Sequence, residues 1–133
     1  MNNLKVEKIM EVIEGNYNIG MDLAKEVNSI NNTLEFLDFH LLEDVNDIFD
    51  GSSPSDIMMM IHNGYFNPYD KYFRLDQYGA IETMSVKEVD SEISLYSEEI
   101  ATAFIEAYED YKDIYDFYIA DEIKNILEEE EEA

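Results

Sequence analysis

The most densely charged stretch of the chain runs from Glu98 to Glu122, and its chemistry is that of carboxylates. It holds nine acidic residues and one lysine, Lys112, and therefore a net charge of −8. On a helical wheel centred on Glu106, further acids lie within roughly 80° on either side. Among them are Glu99, Glu109, Asp110, Asp113 and Asp116. Three chemistries are open to such a row: metal binding, proton exchange and attraction of a cationic surface.

The spacing of these acids differs from that of an ordinary solvated helix, which mixes glutamate with lysine. Glu106 and Asp110 lie four residues apart, as do Glu109 and Asp113. Each like-charge pair at this spacing destabilises a helix by about 0.2–0.5 kcal/mol. The glutamates at 128–132 also lie where the helix dipole favours cations. A solvated face remains the alternative, but the pattern favours a direct role for the charge itself.

No pattern in the sequence matches a metal site or a reactive thiol. The chain has no cysteine, so disulfides and thiolate zinc sites are excluded. His40 and His62 lie far apart with no second histidine nearby, which favours a core or surface role for each. The loop from Asn46 resembles a calcium loop, but Ile48 and Ile57 occupy two of its ligand positions. We therefore expect no metal site.

Catalytic motifs are also missing from the sequence. No P-loop, dinucleotide-binding glycine pattern, nucleophile elbow or zinc-protease motif occurs. Carboxylate pairs are so frequent in this chain that they do not indicate acid–base catalysis. We expect no catalytic residue and no cofactor, and we predict that the protein is not an enzyme.

The charge of the whole chain restricts its partners. It carries 32 acidic and 8 basic residues over 133 positions, a net charge of −24 at pH 7. Such a field repels nucleic acid and anionic membranes and attracts strongly basic surfaces. The longest apolar run, residues 57–61, is too short to span a bilayer, and the N-terminus has no apolar signal core. We expect a cytoplasmic location, no direct binding of nucleic acid or membrane, and a basic protein as partner.

The hydrophobic pattern predicts a mainly α, α+β fold. The hydrophobic fraction of 46% is ordinary for a globular protein, and the length fits one domain. We expect a single compact domain over residues 1–127 and an acidic tail over 128–133. In this prediction helices surround a small β-hairpin, and a long acidic helix ends the chain.

Apolar residues at helical spacing predict most of the elements. The predicted helices cover residues 4–14, 21–30, 41–49 and 54–62, with another from residue 85 onward. Gly15-Asn16 and Asn31-Asn32 are expected to end the first two helices. Residues 33–40 fit either a short strand or a helical turn.

A hairpin is predicted over residues 71–76 and 80–84, with Gly79 at its turn. Alternation of side chains along the first strand places Phe73 toward the core. The same alternation places Tyr72 and Arg74 toward solvent.

One continuous helix is predicted from Ser97, as its N-cap, to Ala133. Its tyrosines step by three, four and three residues, the spacing of a buried stripe or of an interface between two copies, which leaves a homodimer open. They are Tyr108, Tyr111, Tyr115 and Tyr118. Phe117 falls among the acids, where it is a candidate anchor for a partner unless the helix bends there.

An aromatic segment comprises GYFNP at residues 64–68, Tyr72-Phe73, Tyr78-Gly79 and Glu82. It resembles small acidic proteins of phages and conjugative elements in low-GC Gram-positive bacteria, a likeness that covers residues 41–85 and implies no activity. In size, acidity, lack of cysteine and glutamate-rich C-terminus, the chain is similar in character to phage DNA-mimic proteins. Those proteins block the DNA channels of restriction enzymes, CRISPR nucleases or DNA glycosylases. They share no fold, so the resemblance implies no site residue.

The resulting hypothesis is a DNA-mimic inhibitor of the anti-restriction or anti-CRISPR type, acting in the host cytoplasm. Its partner would be a basic DNA-binding protein or nuclease of the host. The predicted contact residues are Glu98, Glu99, Glu106, Glu109, Asp110, Asp113, Asp116, Phe117, Asp121 and Glu122. The alternative is an acidic adaptor or chaperone-like protein that binds a basic or amphipathic segment through Met59 and Phe117.

Overall fold

A computed structural model describes residues 3–41, 70–75 and 81–129. Over these residues the fold is α+β and mainly α, with five α-helices and a three-stranded antiparallel sheet, which confirms the predicted fold class. The predicted helices at 41–49 and 54–62 lie outside the described residues, apart from Leu41. So do the calcium-like loop, Gly79 and most of the segment that carries the first resemblance.

The helices are α1 (Asn3–Gly15), α2 (Tyr17–Asn31), α3 (Val86–Leu95), α4 (Ser97–Tyr111) and α5 (Asp121–Glu128). The strands are β1 (His40–Leu41), β2 (Tyr72–Leu75) and β3 (Ile81–Met84). A short 3-10 helix covers Glu35–Leu37, so the undecided segment contains a helical turn before its strand begins. None of the described helices is both long enough and apolar enough to cross a bilayer.

The chain divides into two compact units. The first comprises Met1–Asp38 with Ser91–Ala133, and the second comprises Phe39–Asp90. The prediction of one domain over residues 1–127 with a tail at 128–133 stays a prediction.

In the first unit, α1, α2 and α4 pack on one another, and α5 packs on α1. The fully buried side chains of this core include Ile9, Ile13, Leu23, Val27, Ile93, Ile100 and Phe104. Gly20 permits a close approach between the backbone of α2 and side chains of two neighbouring helices. A Cβ atom at Gly20 would lie 2.3 Å from Cγ2 of Ile93 and 2.9 Å from Cγ2 of Ile13. The α2 backbone therefore contacts both side chains directly.

Asparagines set both boundaries of α2: the predicted stop at Asn31-Asn32 is confirmed, whereas the helix begins at Tyr17, four residues before the predicted start. Oδ1 of Asn16 accepts a hydrogen bond from the Asn18 N–H (3.1 Å) and caps the N-terminus. Asn32 ends the helix in the left-handed region at φ 56°, a conformation that asparagine tolerates. The Asn28 amide then holds the following turn through two bonds of 2.8 Å to the backbone of Leu34.

The second unit contains the sheet, in which β2 pairs with both β1 and β3. Phe73 is fully buried, as predicted, but Tyr72 is buried as well, so the prediction of an outward Tyr72 is wrong. Adjacent residues of a strand point to opposite faces, and the sheet therefore has no solvent face at this position. Arg74 is half-buried: its guanidinium lies 5.3 Å from the Phe39 ring, and its Nε donates to Glu82 at 3.2 Å.

The prediction of one helix from Ser97 to Ala133 is wrong. Helix α4 ends at Tyr111, a turn covers residues 112–114, residues 115–120 belong to no helix or strand, and α5 begins afterwards. The cause is a tertiary contact. The Phe117 ring lies 5.6 Å from the Phe104 ring, whereas a continuous helix would separate these residues by about 20 Å.

The start of α4 also differs from the prediction. Tyr96 occupies the N-cap position, and Ser97 is the first helical residue. The Ser97 side chain is buried, and its hydroxyl donates to Oε1 of Glu14 on α1 at 3.1 Å. The serine therefore joins two helices instead of capping one.

Candidate functional site

The outward side of α4 carries the acids that the sequence placed there. Glu98, Glu99, Glu106, Glu109 and Asp110 are all exposed. The opposite side of the helix buries Ile100, Ala101, Phe104, Ile105 and Ala107. Apolar packing fixes the orientation of α4, and that orientation directs the carboxylates to solvent.

The other predicted acids lie beyond the end of α4. Asp113 is in the turn, Asp116 is in the irregular segment that follows it, and Asp121 and Glu122 lie in the first turn of α5. All four are exposed. The prediction that Asp113 and Asp116 share one helical face with Glu106 is therefore wrong. At the N-terminus of α5, Asp121 and Glu122 are favoured by the helix dipole.

A ridge on α4 separates two shallow grooves in the first unit. The ridge consists of Glu98, Thr102 and Glu106, which are spaced four residues apart along the helix. The groove toward α1 has a volume of about 510 Å³ and is also lined by Val6, Glu7, Met10 and Ile105. The groove on the other side has a volume of about 450 Å³ and is also lined by Thr33, Leu34, Phe36, Glu99 and Ala103.

Both grooves combine apolar side chains with carboxylates, and no lysine or arginine is among their described lining residues. Lysine and arginine place an aliphatic stem on apolar surface while the charged end stays near water or an acid. Carboxylates form stronger hydrogen bonds with such cations than with neutral donors. The grooves on either side of Glu98 and Glu106 are therefore suited to the side chains of a basic surface.

The lysines of α1 are directed away from this ridge. Nζ of Lys5 donates to the Leu127 carbonyl oxygen at 3.2 Å, and Nζ of Lys8 lies 2.5 Å from Oε2 of Glu129. Both cations thus lie at the C-terminus of α5, where a helix favours positive charge. Within residues 3–41, 70–75 and 81–129, no ion pair involves Glu98 or Glu106.

Phe117 is not the exposed anchor that the sequence predicted. It is half-buried, and its ring lies within 5.6 Å of the rings of Phe104, Tyr108 and Tyr115. These contacts stabilise the segment that follows α4. The predicted buried tyrosine stripe is also wrong, since Tyr111 and Tyr118 are exposed.

Tyr115 is held against α2. Its pKa is raised: Ser29 beside the hydroxyl lowers the pKa, but burial and the Glu26 carboxylate together outweigh that effect. Glu26 is itself buried, and its Oε2 has no hydrogen-bond partner among the described residues. A neutral tyrosine beside this carboxylate is therefore favoured over a tyrosinate.

The sequence predictions did not single out Ile114 and assigned Tyr118 to the tyrosine stripe, yet these side chains are 81% and 79% exposed. Between them the side chains alternate, with Tyr115 and Phe117 half-buried and Asp116 exposed. This alternation of burial has no counterpart in the sequence, because four of the five residues from Ile114 to Tyr118 are aliphatic or aromatic. No apolar–polar pattern therefore indicates which of them face solvent.

No cluster of three or more metal-ligating side chains occurs in the described part of the chain. Comparison of this chain with protein families, with curated proteins and with solved structures finds no match.

Proposed function

We propose that this protein is a stoichiometric DNA-mimic inhibitor. It presents the carboxylates of α4 to the phosphate-binding surface of a basic DNA-binding protein or nuclease, of the kind that host defence systems use. The observation that carries this proposal is the row of exposed acids on α4, in which the ridge residues Glu98 and Glu106 have no compensating cation among the described residues.

The density of charge on α4 supports the proposal. The helix has 15 residues and spans about 22 Å at a rise of about 1.5 Å per residue. Its five exposed acids give about one carboxylate per 4–5 Å of axis, against about one phosphate per 3.4 Å on one strand of DNA. A surface that binds a DNA strand therefore meets a similar density of negative charge.

The grooves supply the second line of support. Basic side chains that normally contact phosphates would reach the carboxylates of Glu98 and Glu106. Their aliphatic stems would lie on Val6 and Met10 in one groove and on Phe36 in the other. The DNA backbone offers no such apolar surface, so this contact would favour the inhibitor over the nucleic acid that it displaces.

The alternative proposal is an acidic adaptor that binds a basic or amphipathic segment. Its two predicted anchors find less support, because Phe117 is half-buried among aromatic rings and Met59 lies outside the described residues. We keep it as the alternative that weak salt dependence would favour.

A competition assay tests the proposal. The purified protein is titrated into a type I restriction complex, a guide-loaded CRISPR nuclease and uracil-DNA glycosylase, each with labelled DNA, at two salt concentrations. Mimicry predicts displacement of DNA from at least one enzyme, and weaker displacement at the higher salt because the contact is ionic. Failure to displace DNA from any of the three at low salt would favour the adaptor.

A charge-reversed variant locates the contact. Reversal of Asp110, Asp113 and Asp116 to lysine should abolish displacement, because it places cations opposite a basic surface. The control reverses three other exposed acids, Asp22, Glu35 and Asp90, and so makes the same change in net charge. Equal displacement by the two triple variants would show that overall charge, and not this surface, determines binding.

A further inference from the structure

The segment between α4 and α5 presents alternate side chains to opposite sides. Tyr115 and Phe117 point toward the helices, while Ile114 and Tyr118 are 81% and 79% exposed. Their Cα atoms are separated by four residues and therefore by at most about 14 Å. Two large apolar side chains thus reach solvent from one short stretch of chain.

Contacts on the inward side fix this stretch. The N–H groups of Ile114 and Tyr115 donate to the Tyr111 carbonyl oxygen at 3.0 and 2.9 Å. The Phe117 ring packs on the rings of Phe104 and Tyr108. A side chain presented from a fixed backbone loses less conformational entropy on binding than one from a mobile loop.

The charges around the two side chains indicate the chemistry of their partner. Asp113 and Asp116 are exposed in the same segment together with one cation, Lys112, and Asp110 precedes it at the end of α4. A partner that covers Ile114 and Tyr118 must therefore approach several carboxylates, which favours a cationic surface. A second copy of this chain is disfavoured, because each copy carries a net charge of −24.

We propose that Ile114 and Tyr118 form an apolar anchor that inserts into an apolar recess on the cationic protein surface that the acids of α4 attract. This inference rests on the proposed function and adds an apolar contact that the phosphates of DNA do not make. The carboxylates supply salt-dependent attraction, and the anchor supplies affinity that salt does not screen. Exposed aromatic and aliphatic anchors of this kind dominate the binding energy of many interfaces.

Two synthetic peptides serve as probes. One is a helical peptide of lysine and leucine with a single tryptophan, and the other replaces its leucines with serine. The protein contains no tryptophan, so the fluorescence of the peptide reports binding directly. The test variant is Ile114→Ser/Tyr118→Ser, and the control is Leu95→Ser, which removes a 71% exposed apolar side chain elsewhere.

At high salt, the wild type and Leu95→Ser should bind the lysine–leucine peptide at least about tenfold more tightly than the double variant does. The lysine–serine peptide should show no such difference. Thermal unfolding of the double variant, together with Ile114→Ser alone, checks that the fold is intact. Equal affinity of the wild type and the double variant at high salt would overturn the inference, as would failure of the wild type to bind the first peptide.

The two proposals fail in different ways. If the double variant binds the lysine–leucine peptide as tightly as the wild type does, while DNA is still displaced, the anchor proposal is rejected and the mimicry proposal stands. An anchor effect without DNA displacement from any enzyme would favour the adaptor. Sedimentation of the wild type and the double variant provides a further check, because a change in oligomeric state would assign the anchor to a second copy and overturn the inference.

Discussion

Helices α1 and α4 pack against each other, yet they use charge in opposite ways. Helix α1 mixes acids with Lys5 and Lys8, and both lysines contact the C-terminus of α5. Helix α4 carries five exposed acids and no basic residue. The charges of α1 help to hold two helices together. On α4, by contrast, the ridge residues Glu98 and Glu106 pair with no cation among the described residues, a difference that the proposed binding of a basic surface would explain.

The largest expected effect comes from the buried side of α4. Phe104 is fully buried and contacts the rings of Tyr108 and Phe117. Phe104→Ala should lower the free energy of unfolding by about 3–5 kcal/mol, because it leaves a cavity and removes ring contacts. Urea denaturation measures this loss. The exposed variant Glu106→Ala is the control on the same helix, and a comparable loss there would contradict the division of α4 into a structural side and a binding side.

A smaller effect is expected when the charge arrangement of α1 is broken. Lys8→Ala removes the ion pair with Glu129 and a cation near the C-terminus of α5, so stability should fall by up to about 1 kcal/mol. Added salt should reduce the difference from the wild type. Lys87→Ala, at an exposed position of α3, serves as the control. If the two variants lost the same stability, the lysine of α1 would have no special structural role.

A charge reversal on α4 should raise stability, whereas removal of the Lys8 charge from α1 should lower it. Asp110→Lys replaces a like-charge pair with Glu106 by an attractive one and places a cation in the last turn of α4. We expect a gain of about 0.2–0.5 kcal/mol in thermal unfolding, together with weaker displacement of DNA from the target enzyme. Asp90→Lys on α3 lies three residues from Lys87 and should show no such gain. A loss of stability in Asp110→Lys would mean that its carboxylate is structural.

The smallest expected effect concerns an acid on α2. Asp22 lies on the exposed side of α2, but partial desolvation of its carboxyl group raises its pKa above 3.8, and the charge of Lys25 only partly offsets this. The folded state therefore holds the proton more tightly than the unfolded state, and stability is lost as the pH rises through 3.8 and beyond. Asp22→Asn should be slightly more stable than the wild type at pH 7, and the difference should shrink below pH 3.8. A constant difference across pH would contradict this assignment.

Features that depend on local sequence patterns, such as the C-terminal ends of α1 and α2, were predicted correctly from the sequence. The ends of α1 at Gly15 and of α2 at Asn32 follow from residue types that favour helix ends, and the structure confirms both. The exposure of the acids on α4 follows from their charge. The path after Tyr111 could not be predicted in this way, because it depends on the contact between Phe117 and Phe104, which helical periodicity does not encode.

The other features that the sequence did not predict correctly also depend on tertiary structure. Tyr72 alternates with Phe73 along β2, and alternation alone cannot show that both faces of a strand are covered. The grooves beside Glu98 require α1 and the turn after α2 to pack near α4, which is again a tertiary property. The acidity was therefore visible in the sequence, whereas the surface that it forms was not.

In the proposed function, the carboxylates of α4 bind a basic surface of the target enzyme. The most direct measurement is the salt dependence of affinity for the enzyme whose DNA is displaced, compared between the wild type and Glu98→Gln/Glu106→Gln/Asp110→Asn. We predict a steep fall of the wild-type affinity with salt and a weaker dependence in the neutralised variant, which should remain folded because all three side chains are exposed. Equal salt dependence in a folded variant, or no displacement of DNA from any enzyme of the panel, would contradict the claim.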